Sequence, residues 1–156
     1  MIKAVIENKN GGTLVTQFPC DIYKLYSDLH SVGIMTPPNK LKLTDREDDP
    51  ISVKLYSDSD FGNHLLLLFS EESTLSDVNT VCFVIEKADE SIKEELEQNL
   101  LYDQYSSTSE LIHDIKEMNE KLGQVKMSFF CTLAGKYRGF RIRRHNACRQ
   151  PLSQKL

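Results

Sequence analysis

Met1-Ile2-Lys3-Ala4-Val5-Ile6-Glu7-Asn8-Lys9-Asn10-Gly11-Gly12-Thr13-Leu14-Val15-Thr16-Gln17-Phe18-Pro19 is the stretch whose reading decides the fold. Residues 2–7 alternate enough to form a strand with one buried face. Asn8, Asn10, Gly11 and Gly12 tolerate positive φ and supply a turn, and residues 13–18 form a second β-rich run. Together they predict an antiparallel hairpin. Pro19 then suits the first turn of a helix, in which Ile22, Leu25, Tyr26, Leu29 and Val32 recur at helical spacing until Gly33. An amphipathic helix laid over a hairpin puts the chain in the α+β class.

Working outward, Thr36-Pro37-Pro38-Asn39 is a loop, because proline fixes its own φ and restricts the residue before it. Residues 41–43 and 51–56 read as short strands on either side of an acid-rich turn. Ser57-Asp58-Ser59-Asp60 offers caps for a buried helix ending near Phe69, with Gly62 near its start. A capping-box spacing at residues 73–77 opens a helix whose face is Leu75, Val78, Val81, Cys82 and Ile85. Residues 90–101 place Ile92, Leu96, Leu100 and Leu101 on a core-facing stripe. Ser106 to Glu110 start the next helix, with Leu111, Ile112, Ile115, Met118 and Leu122 inward and Gly123 as its stop, and residues 125–132 read as a strand. The predicted architecture is short antiparallel strands with several amphipathic helices, compact or elongated and two-lobed. Its parts are an α+β lobe over residues 1–70, a mainly helical acidic lobe over 71–132, and a basic, loosely ordered tail over 133–156.

A chain of 156 residues can bury a full core without staples. Its longest apolar run, Leu65-Leu66-Leu67-Leu68-Phe69, is far short of the roughly 20 residues that span a bilayer. The N-terminus lacks the apolar core of a secretory signal, so a cytoplasmic protein is expected. Cys20, Cys82, Cys131 and Cys148 are widely spaced, with no C-x-x-C pair, and read as reduced, mainly buried residues. Residues 1–132 hold all 23 acids and 12 of the 19 bases, a formal charge of −11, while residues 133–156 hold seven bases and no acid.

Motifs for chemistry are missing. There is no phosphate-binding loop, no H-E-x-x-H and no G-x-S-x-G, and His30, His64, His113 and His145 are isolated. A non-enzyme without cofactor or metal is expected.

The acids remain: Asp45, Glu47, Asp48, Asp49, Asp58, Asp60, Glu71, Glu72, Asp77, Glu86, Glu90, Glu94, Glu95, Glu97, Asp103 and Glu110. One reading makes them a solvating surface. The other makes them an imitation of nucleic acid, which carries roughly one negative charge per 1.7 Å of duplex axis. Glu90, Glu94 and Glu97, at i, i+4 and i+7, would stand roughly 5–6 Å apart on one helix face. A mimic needs several such elements.

The chain resembles the ArdA antirestriction proteins of mobile elements and plasmids. The resemblance is carried by Ser73-Thr74-Leu75-Ser76-Asp77-Val78-Asn79, then Glu86, Glu94-Glu95-Leu96 with Leu100, and Ser106-Ser107 followed by Glu110-Leu111. The opening is also similar, with Val5-Ile6-Glu7-Asn8, Gly12-Thr13-Leu14-Val15 and Phe18-Pro19, as is the acidic stretch from Asp45 to Asp49. The likeness covers roughly residues 1–122, and the basic tail departs from it. It implies a stoichiometric, usually dimeric DNA mimic that occupies the DNA-binding cleft of type I restriction–modification enzymes. Two alternatives stay open: a protein-interaction module of a mobile element without mimicry, and a nucleic-acid-binding arm formed by the tail, where Tyr137 and Phe140 interleave with arginines.

Overall fold

The structure, a computed structural model, describes the backbone of residues 1–136 and the side chains of residues 1–127. The described residues form a three-stranded antiparallel sheet and five helices, an α+β protein. The chain divides into two compact units, Met1–Glu117 and the residues from Met118 on.

Strands β1 (Ile2–Asn8) and β2 (Thr13–Phe18) form the expected hairpin, with Val5 opposite Val15. β3 (Ile51–Ser57) pairs antiparallel on the other side of β1, so the order is β2-β1-β3. Strand alternation sends Ile2, Ala4 and Ile6 into the core, together with Phe18 and Val53, and leaves Lys3, Val5 and Glu7 on the other face.

Helix α1 (Ile22–Ser31) buries Leu25 and Leu29 and packs against β2. Its cap is Asp21, whose side chain accepts from the N–H groups of Tyr23 and Lys24. Pro19 therefore does not occupy the first helical turn, as its residue type suggested. It precedes the cap by two residues, because the aspartate satisfies the orphan donors and so sets where the helix begins. At the other end the Gly33 and Ile34 N–H groups bond to the His30 and Leu29 carbonyls. Gly33 makes this closure possible with φ +81°, a conformation that strains a side chain.

Residues 41–43 do not form a strand. Leu43 donates to the Ser73 carbonyl and Leu75 to the Leu41 carbonyl, giving only an isolated bridge of Lys42 with Thr74. Helix α2 (Asp60–Leu66) is capped by Ser59 and stops three residues short of Phe69. Leu67, Leu68 and Phe69 each donate to the carbonyl three residues back, tightening the chain out of the helix, and Leu67 is exposed. Gly62 is required here: a Cβ would stand 1.9 Å from the Ser57 hydroxyl, where α2 meets the end of β3.

Helix α3 (Leu75–Lys87) buries the five residues its spacing predicted. Helix α4 (Glu90–Leu101) buries Ile92, Leu96 and Leu100, whereas Leu101, expected inward, is 52% exposed. The 100° step from Leu100 carries it off the core stripe. Helix α5 (Thr108–Lys136) buries Leu111, Ile115 and Met118, with Ile112 and Leu122 half-buried. Its residues up to Glu117 belong to the first unit. It runs through Gly123, so the expected stop is absent, and residues 125–132 are helical rather than a strand. The chain already committed to helix continues it at little cost, since one exposed glycine weakens a helix by only about 1 kcal/mol. Residues 133–136 of the predicted tail extend this helix, and the rest of that basic segment lies outside the described residues.

Candidate functional site

Of the sixteen acids singled out above, all but the half-buried Asp49 are exposed. Five are held by ion pairs. Asp45 meets Lys54 at 3.2 Å, Glu71 meets Arg46 at 2.9 Å, and Glu72 pairs with Lys42. Asp58 faces Lys3 at 3.4 Å and the N-terminal ammonium at 3.6 Å, and Glu90 faces Lys93 at 2.8 Å. The acid-rich turn is thus clasped to residue 71 by Arg46 and to β3 by Lys54, and Lys42 just before it holds Glu72. Two more acids are spent on helix starts. Asp77 and Thr74 form a reciprocal capping box, and the Glu110 carboxylate accepts from the Ser106 N–H at 2.8 Å and from its hydroxyl. That backbone bond, then the hydroxyl bond, hold Glu110 below the usual glutamate range.

Glu47, Asp48, Asp49, Asp60, Glu86, Glu94, Glu95, Glu97 and Asp103 make no ion pair among the described residues. Five of the nine lie on or near α3 and α4, where residues 71–103 hold ten acids and only two bases. On α4 the period brings Glu90, Glu94 and Glu97 to one face. Each like-charge neighbour at i+3 or i+4 costs roughly 0.2–0.5 kcal/mol, and no base stands in the last turn to offset it. Glu90 is offset by Lys93 and by its place in the first turn, but local stability gives no reason for Glu94 and Glu97. Along the roughly 18 Å of α4 the net charge is three negatives, about a third of the linear density of duplex DNA. The structure therefore joins the α4 acids on one helix and leaves those of residues 45–49 and 58–60 elsewhere, where only Asp45 and Asp58 are held by ion pairs.

Sequence reasoning missed three features. The Tyr105 hydroxyl donates to the Asp114 carboxylate and accepts from the Asn99 amide at 3.2 Å, tying α4 to the start of α5. Burial, and then that carboxylate, push the phenol up to about 12. The Asn79 amide pairs with both backbone groups of Cys20, at 2.8 and 3.1 Å, and so fixes α3 to the junction of β2 and α1. An apolar groove of about 220 Å³ is lined by Met1, Phe18, Phe61, Leu65 and Cys82, with Glu86 at its side. None of these carried a spacing signal: the Asn79 contact and the groove join residues distant in sequence, and the Tyr105 bonds cross the turn between two helices at separations of six and nine.

The groove holds no activated nucleophile: burial pushes the Cys82 thiol up to about 12. The ring Nδ1 atoms of His30 and His64 sit against the carbonyls of Tyr26 and Asp60 on their own helices. Among the described residues no three His, Cys, Asp or Glu side chains group to hold a metal ion, and no helix is long and apolar enough to cross a membrane. Compared with family models, curated proteins and solved structures, the chain matches none of them.

Proposed function

We propose that this is a non-catalytic, cytoplasmic DNA mimic of the ArdA kind, which binds a type I restriction–modification enzyme in place of DNA through its acidic surface. It acts stoichiometrically, without cofactor, as a monomer or a homodimer. The observation that carries the reading is the run of unpaired, exposed acids on α3 and α4, kept at a cost to helix stability and not used by any cap or ion pair. A basic cleft would relieve their mutual repulsion, so the electrostatic energy is released on binding. The basic segment after residue 132 opposes that attraction in part, and affinity is set by the difference.

A second reading is favoured by the exposed apolar side chains of Tyr23, Leu67, Phe83 and Tyr102. In it the chain docks to a protein through such side chains, and the acids only solvate it.

The test is displacement of a labelled duplex from a type I methyltransferase by the full chain at low and high salt. Mimicry predicts stoichiometric release at low salt and little at high salt, because only charge–charge attraction is screened. Release that is equal at both, or absent, removes the mimicry reading.

A further inference from the structure

The Asn8 N–H donates to the Gly12 carbonyl at 3.0 Å, which closes the hairpin and fixes the phase of its ladder. The hydrogen-bonded pairs are then Ile6 with Leu14, Ala4 with Thr16 and Ile2 with Phe18. It follows that the backbone N–H and C=O groups of Thr13, Val15 and Gln17 point away from β1. β2 is one of the two edges of the sheet, and no other described backbone segment bonds to these three residues.

Natural sheets guard their edges with charge, proline, bulges or very short strands. β2 is six residues long, carries neither charge nor proline and pairs in unbroken register. Beside it runs a polar groove of about 250 Å³, with Val15, Thr16 and Gln17 on one wall and Asp21, Lys24 and Asp28 on the other. A free strand edge facing a helix across a groove is the geometry in which an extended peptide adds as a further strand: backbone pairing supplies affinity, and alternate side chains enter the groove.

We propose that β2 and α1 form a receptor for an extended peptide segment bearing a basic side chain, which adds as a fourth strand beside β2. The backbone groups of Thr13, Val15 and Gln17 dictate an extended polypeptide, since no other common ligand matches donors and acceptors repeating at every second residue. Asp28, together with Asp21, which also caps α1, outweighs Lys24 in charge, and that net negative charge selects the basic side chain. None of the groove's residues belongs to the acids assigned to mimicry, so this site stands or falls independently of that reading.

The probe is a cyclic β-hairpin peptide whose outer strand alternates valine and lysine, with a second hairpin carrying glutamate for lysine. Saturating the full chain with the lysine hairpin should slow hydrogen exchange at the Thr13, Val15 and Gln17 amides, and the glutamate hairpin should bind about fivefold more weakly. Val15→Pro removes one outward donor without touching the β1–β2 ladder and should abolish binding. Asp28→Lys leaves the strand intact and should reverse the preference between the hairpins, which decides the matter even if the proline variant does not fold. Unchanged exchange at the three amides, or a hairpin preference indifferent to Asp28→Lys, overturns the proposal. So does self-association of the chain alone that protects the same amides, because the occupant is then a second copy.

Discussion

Thr74 and Asp77 illustrate how much a single side chain decides. Asp77 accepts from the Thr74 N–H at 2.7 Å, while the Thr74 hydroxyl receives the Asp77 N–H at 3.3 Å, so two orphan donors at the start of α3 are satisfied reciprocally. Thr74→Ala should cost about 1 kcal/mol in urea unfolding, with an unchanged denaturant slope. Glu110 acts the same way at α5, but through a charge. Its carboxyl is lowered in the folded state, so it adds stability above the ordinary glutamate range that is lost as the pH falls through that range. Glu110→Gln should be less stable than the parent at neutral pH and should converge with it below about pH 3, as thermal melts across that window will measure. Both carboxylates stood in the sequence at helix starts, Asp77 three residues after Thr74 and Glu110 four after Ser106. For Asp77 the capping-box spacing already pointed to a cap, whereas the bond of Glu110 to the Ser106 N–H could be seen only in the folded structure.

At the scale of elements, the helices with strong periodicity fell where spacing placed them, α3 and α4 above all, because core-facing residues at 3.6-residue spacing admit one solution. The exception is α5. A glycine followed by apolar and β-branched residues reads as a stop and a strand, yet Gly123 lies inside a 29-residue helix with open space around the position of a Cβ. Gly123→Ala should therefore raise helical ellipticity and stabilise the helix by about 0.5–1 kcal/mol, whereas a true helix stop at this position would be destabilised by the same change. α4 is the element on which function is concentrated in this reading. Replacing Glu94, Glu95 and Glu97 together by glutamine should leave melting unchanged or slightly raised, since their repulsion is removed. It should also weaken displacement of DNA from the methyltransferase and flatten its salt dependence. If displacement persists undiminished, α4 is not the mimicking surface.

For the molecule as a whole, the balance is between an acidic stretch of 132 residues at −11 and 24 residues at +7. Removing residues 133–156 should strengthen binding to a basic cleft at low salt and leave it unchanged at high salt, a comparison that equilibrium titration makes directly. The sequence by itself determined the hairpin, the capping box, the acidic stripe of α4 and the α+β class, because each is set by residues within one turn or one strand of one another. Only the tertiary structure decided that residues 41–43 make a bridge and not a strand, that β3 closes on β1 and leaves β2 at one edge, and that four of the acids are held by bases distant in sequence while α4 keeps three unpaired. These outcomes depend on which distant segments compete for the same backbone donors and the same charges, and that competition is resolved only when the chain packs.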